Sequence, residues 1–125
     1  MNAFRSEDDA AAYSVYLQNN NQDTACPFCA IRLGNEQYVT ESEHFVIMRN
    51  KFPYVTWDGG EVSEHLMIIP KSHLTALSEL NEHESKEYLT IVSEYEDNGF
   101  NVYARTAASK ARSIKHQHTH FIKLY

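Results

Sequence analysis

An α+β domain is predicted, built on a largely antiparallel five-stranded sheet with one long helix and a short N-terminal helix. Three observations carry this. Strand-like runs come first, a single long amphipathic pattern follows, and a pair of strand-like runs returns after it. The 125 residues are 42% hydrophobic, which suffices for one domain with a real core, and no internal repeat is visible.

Asp8 to Gln18, alanine-rich with Tyr13, Tyr16 and Leu17, predicts a short helix or docking arm. Asn19 to Asp23 reads as a linker, so residues 1–25 are expected to form an arm and residues 26–125 the domain proper. Cys26 to Leu33 reads as a turn or short helix ended by Gly34-Asn35. Tyr38-Val39-Thr40 and His44 to Met48 predict two strands, and His65 to Ile69 a third, stopped by Pro70. Between the second and third, Asn50 to Glu64 contains Pro53, Gly59 and Gly60 and is expected to be a functional loop. Asn81 followed by Glu84 has the form of a capping box, and Tyr88, Ile91, Val92 and Tyr95 recur at helical spacing before Gly99. Val102-Tyr103-Ala104 predicts strand four, Thr106 to Lys110 a turn of small residues, and Ile114 to Leu124 strand five.

Charge is distributed unevenly. From Asn98 onward there are five basic residues, Arg105, Lys110, Arg112, Lys115 and Lys123, and no acid, whereas the whole chain carries a net charge of −6. A positive segment in a negative protein favours a small anionic ligand over nucleic acid, which calls for a basic excess across the domain. No apolar run approaches the ~20 residues needed to span a bilayer, and Glu7, Asp8 and Asp9 make the N-terminus too acidic for a secretory or transit signal. A cytoplasmic protein with no membrane or nucleic-acid partner is therefore expected. Trp57 is expected in the core more than on a nucleobase, His44 and His83 on the surface, and Lys71 in solvent or near phosphate.

The positive segment holds His116-Gln117-His118-Thr119-His120. On a strand, alternate side chains share a face, which would align three imidazoles that titrate near neutral pH. Same-face Cα atoms lie roughly 6.6 Å apart, so His116 and His120 would be separated by about 13 Å. A single ion could not collect all three rings without sharp distortion, which points to division of labour among them. A pair of metal ligands with a solvated third ring is the plainer alternative. Cys26 and Cys29 form a single C-x-x-C. Taken alone, it fits a reduced core pair as well as a metal site, while a thioredoxin-type role lacks its βαβ setting.

These residues resemble a known family. His116-Gln117-His118-Thr119-His120-Phe121-Ile122 is similar to the His-φ-His-φ-His-φ-φ signature of the histidine triad (HIT) superfamily of nucleotide hydrolases and nucleotidyl transferases, with polar Gln117 and Thr119 where apolar residues are usual. Cys26-Pro27-Phe28-Cys29-Ala30-Ile31 resembles its C-x-F-C-x-I opening, and His65 to His73 its H-x-L-x-I-P-K-x-H strand. Asn50-Lys51-Phe52-Pro53-Tyr54 resembles its nucleoside-contacting stretch.

The resemblance implies a HIT-like fold and covalent catalysis at the α-phosphate of a nucleotide. His118 would be the nucleophile, His120 would hold the phosphate oxygens or leaving group, and His65 would sit beside the triad. Ser113 would bind phosphate, Asn50 would meet the sugar hydroxyls, and Phe52 belongs to the nucleoside stretch. Arg112 and Arg105 stand where relatives carry Gln and Asn, so two guanidinium groups could grip a more highly charged substrate. Cys26, Cys29, His73 and His116 would hold a structural zinc ion with no open position. A homodimer is implied as well, relatives joining two sheets edge to edge. Two functions are carried forward: a nucleotide-processing enzyme, and a nucleotide- or zinc-binding module on the same fold with weak or no turnover. A hydrolase using the three histidines as metal ligands is disfavoured by their spacing.

Overall fold

The computed structural model describes residues 3–20 and 26–125, and of residues 19 and 20 the backbone only. Residues 21–25, which include residues 21–23 of the expected linker, lie outside the described residues, while the linker's first two residues belong to the N-terminal helix. The elements are β1 (Ala3–Arg5), α1 (Glu7–Asn20), β2 (Tyr38–Glu41), β3 (Phe45–Arg49), β4 (Tyr54–Trp57), β5 (Gly60–Pro70), α2 (Glu82–Asp97), β6 (Asn101–Tyr103) and β7 (Thr119–Leu124), with a 3₁₀ turn at Leu77–Glu79. All described pairings are antiparallel, and α+β is the class.

β5 is the hub. Met67 pairs with Met48 of β3 on one edge and with His120 of β7 on the other, while the start of β5 pairs with β4. The strand order β1-β4-β5-β3-β2 continues on the other side of β5 through β7 to β6. Alternation then separates two faces. Phe45, Ile47, Ile68 and Phe121 face α2, where Tyr88, Ile91, Val92 and Tyr95 pack on them. Val46, Met48, Met67 and Ile69 face the other way, under Phe28 and Ile31. The α2 stripe read from sequence is thus its buried face. Its capping box forms as expected, with the Glu84 N–H donating to Asn81 Oδ1 at 2.8 Å and the Asn81 N–H to Glu84 Oε1 at 2.9 Å.

The sheet has seven strands where five were expected. The segment read as a functional loop is a hairpin of β4 and the start of β5, closed by Asp58 and Gly59, both with φ positive (51° and 78°). Asp-Gly is a strong two-residue hairpin signal because both positions accept that backbone, but Pro53 and two adjacent glycines masked it. β1, the other addition, pairs with β4 through Ala3↔Trp57 and Arg5↔Tyr54. That pairing brings the expected arm onto the sheet. β7 begins only at Thr119, because the Gln117 N–H donates to Leu74 O (2.6 Å) in a loop rather than to a strand neighbour. Strand four likewise ends at Tyr103 rather than Ala104.

His44 immediately precedes β3 and is half-buried, while His83 is exposed on α2. Glu87 of α2 accepts from Ser42 Oγ (2.5 Å), the His44 N–H (2.8 Å) and His44 Nδ1 (2.8 Å), clasping the helix to the β2–β3 turn. Lys71 pairs with Glu41 rather than facing the cleft described below. Trp57 is buried with Tyr54 and Ile122, in the core as expected. No described helix is long and apolar enough to cross a membrane.

Candidate active site

On the face of the sheet away from α2, the three histidines divide. His116 is fully buried and turns toward the C-x-x-C turn. His118 and His120 line a cleft of about 640 Å³ including its open mouth. Asn50, Phe52, Arg105, Arg112 and Ser113 line the same cleft, and His65 lies behind it, bonded to His120.

Each ring's tautomer follows from its partners. His118 Nδ1 lies 2.8 Å from His116 O, so it carries the proton and donates, which leaves the Nε2 lone pair free. Phe28 meets this ring edge-on, with centroids 5.2 Å apart. The Tyr54 N–H donates to His65 Nδ1 at 3.1 Å, so the proton of neutral His65 sits on Nε2. Nε2–H in turn donates to His120 Nδ1 at 2.8 Å, which fixes the His120 proton on its own Nε2. A backbone amide at the edge of β4 thereby determines which nitrogen of His120 is a donor.

Burial keeps these rings uncharged at neutral pH. It draws His118 down to about 4 against the opposing hydrogen bond to the His116 carbonyl, with Arg112, His116 and Arg105 adding repulsion. Burial likewise takes His65 to about 3, helped by Arg5 and His118. His120 lies well below its ordinary value for the same first reason, with His65 and His118 next. An uncharged imidazole with a fixed tautomer offers a lone pair to an electrophile and an N–H to an oxygen.

Around the rings, Asn50 Oδ1 accepts from the Phe52 N–H at 2.8 Å, and its amide nitrogen lies 3.3 Å from His65 Nε2. Tyr13 and Tyr16 tilt against Phe52, each with centroids 5.2 Å away. The Tyr13 hydroxyl is hydrogen-bonded to Ser113 Oγ. Arg112 spends Nε on Ile114 O (3.3 Å) and Nη2 on Thr75 O (2.7 Å) and Lys115 O (2.6 Å). Those bonds fix the loop before His116, and among the described residues Nη1 makes no hydrogen bond. Arg105 lies over Tyr103, with Cζ 5.4 Å from the ring centroid.

Sequence reasoning missed Arg5, Tyr13 and Tyr16 as cleft residues. The two tyrosines carried a signal, since a spacing of three puts them on one face of an otherwise small and polar helix. Arg5 carried none, because its place depends on the β1–β4 pairing.

Behind the cleft, Cys26, Cys29, His73 and His116 bring one donor atom each within 4.8 Å of one another. His116 Nδ1 lies 3.5 Å from both sulfurs, and His73 Nδ1 3.3 Å from Cys29 Sγ. A tetrahedral ion with Zn–S about 2.3 Å and Zn–N about 2.0–2.1 Å requires S···N edges of about 3.6 Å, so the set fits such a metal. His116 Nε2 donates to Pro70 O at 2.8 Å, leaving Nδ1 as the ligand atom.

The HIT domain family matches residues 34–125, and the chain belongs to that family. It is similar to a histidine triad nucleotide-binding protein from Sulfolobus tokodaii at 26% identity, with a TM-score of 0.61, covering 80% of this chain and 69% of that one. A HIT family member from Bacillus subtilis shares the fold at 24% identity, with a TM-score of 0.62 and coverage of 82% and 74%. A HIT family hydrolase from Legionella pneumophila does so at 20% identity, with a TM-score of 0.55 and coverage of 78% and 90%. No protein of curated function matches the chain in sequence.

Proposed function

We propose that the protein is a nucleotide hydrolase or nucleotidyl transferase. It acts at the α-phosphate of a nucleoside phosphoramidate, a dinucleoside polyphosphate or a nucleotide conjugate, through a nucleotidyl-histidine intermediate. One observation carries the reading: His118 donates Nδ1–H to the His116 carbonyl and lines the cleft with Nε2 unprotonated. That ring is uncoordinated and beside a cavity, as a nucleophile must be.

The electrons and protons balance as follows. The His118 Nε2 lone pair forms the bond to phosphorus as the bond to the leaving group breaks, and the leaving group departs with that electron pair. The positive charge gained by the ring is stabilised by the His116 carbonyl on Nδ1–H. His120 Nε2–H donates a hydrogen bond to a phosphate oxygen or to the leaving group, with His65 keeping it oriented, and a basic leaving group takes its proton from water. Water or another acceptor then forms a bond to phosphorus as the Nε2–phosphorus bond breaks; that electron pair returns to Nε2, the acceptor's proton passes to solvent, and His118 is restored. Asn50 meets the sugar hydroxyls, Phe52 packs against the nucleoside, and Ser113, Arg105 and Arg112 hold phosphate. Zinc on Cys26, Cys29, His73 and His116 would fasten the turn at 26–31 beneath the catalytic segment and, having four protein ligands, supply no reactive position.

Release of mononucleotide from a panel of such substrates, measured beside His118→Ala, tests the reading. Turnover is expected from the natural chain, with a fall of more than about 10³-fold in the variant, the order seen when a covalent nucleophile is removed. Equal, negligible release from both would favour the alternative, a catalytically weak nucleotide- or zinc-binding module.

A further inference from the structure

Residues 3–18 precede the matched domain, yet they build one wall of the cleft. Arg5 is anchored at its base, Nε donating to Phe52 O at 2.8 Å. Its guanidinium lies between two rings, with Cζ 4.1 Å from the Tyr13 centroid and 4.9 Å from that of Tyr54. Such stacking fixes the plane of the fork while leaving its edge available. Among the described residues, neither Nη atom of Arg5 makes a hydrogen bond or ion pair. The Tyr13 hydroxyl reaches across to Ser113, joining the arm to the loop before the triad.

Four cations, Arg5, Lys51, Arg105 and Arg112, line this cleft, and among the described residues no carboxylate does. In a protein of net charge −6 that is a concentrated positive field. A single α-phosphate diester carries one negative charge and does not account for four cations. Arg112 is largely committed to backbone carbonyls, whereas Arg5 is held rigid with both Nη donors uncommitted.

Resting on the nucleotide reading above, we propose that Arg5 forms a second phosphate seat, contributed by the N-terminal arm, which selects substrates whose leaving group is itself a polyphosphate. The bidentate fork grips phosphate oxygens beyond the α-position, and the Tyr13 and Tyr54 rings keep it pre-aimed. Arg5 is a specificity-determining residue and takes no part in bond making.

The test uses the full chain carrying His118→Ala, so that nothing is cleaved, and measures calorimetric affinities for adenosine 5′-triphosphate and adenosine 5′-monophosphate in magnesium-free buffer. The triphosphate is expected to bind more tightly. Adding Arg5→Gln should narrow the ratio of the two affinities roughly tenfold, the worth of a charge-assisted contact, while leaving the monophosphate affinity nearly unchanged. Arg5→Lys should recover part of the ratio by restoring the charge. A parallel loss of both affinities in Arg5→Gln would show that Arg5 only braces the wall, and an unchanged ratio, or no binding of either nucleotide, would also overturn the proposal. Because this readout is binding and the catalytic reading is judged by turnover, either can fail without the other.

Discussion

His120 would be an ambiguous ring were it not for His65, since either nitrogen of an isolated neutral imidazole can carry the proton. The Tyr54 N–H settles the first tautomer, His65 transmits the choice, and the outward-facing donor of His120 results. The spacing argument disfavoured one ion collecting all three triad rings, and they do lie in different surroundings, His116 at the thiols and His118 and His120 on the cleft. It did not anticipate that the strand would begin only at Thr119, with His116 and His118 in the loop before it, because the competing bond to Leu74 O joins segments far apart in sequence. A second histidine gives a pH-dependent prediction. Hydrogen bonding to Glu87 raises the His44 pKa, with Glu43 and Glu84 adding to it. Burial works to raise Glu87, but bonds from Ser42 and His44 outweigh it and hold this carboxylate below its ordinary range. The His44 contribution is complete below the ordinary imidazole pKa and disappears as pH rises through the raised folded value. The Glu87 contribution is complete above the ordinary carboxylate pKa and disappears as pH falls through the lowered one. Both are present between about pH 4.5 and 6.5. The melting temperature of Glu87→Gln should therefore lie furthest below that of the natural chain near pH 5.5, and the gap should narrow toward pH 8.5, where only the Glu87 part remains. An equal gap at the two pH values would count against the clasp.

Among the elements, α2 was fully legible, since its cap and its buried stripe are both local patterns. β3 and the second half of β5 were legible for a similar reason, being short apolar runs with clear stops. β1 was not, because three residues acquire strand character only from pairing with β4. The turn at Cys26 to Leu33 stands between these cases. Its form was visible in C-x-x-C and Gly34, while its attachment to His73 and His116 rests on contacts spanning more than forty residues. That attachment predicts the effect of metal. The zinc-loaded protein should carry one equivalent per chain, and chelation should lower its melting temperature by several degrees, as expected when the unfolded chain has no preformed site. Cys29→Ser should abolish the response to chelator. An identical melt with and without chelator would mean that the four donors hold no ion.

For the molecule as a whole, a sheet that ends at β1, β2 and β6 leaves edges unpaired among the described residues, and we propose that two copies pair through one of them to form a homodimer. Light scattering at micromolar concentration should then give about twice the chain's 14.4 kDa. A monomeric mass would remove this proposal without touching the cleft. One residue links the two halves of the site. The His116 ring belongs to the thiol cluster, while the carbonyl of the same residue accepts from His118, the proposed nucleophile. Damage to the sulfurs, such as oxidation of the Cys26 and Cys29 pair, would thus be felt by the chemistry as a loss of aim, with no reacting atom altered.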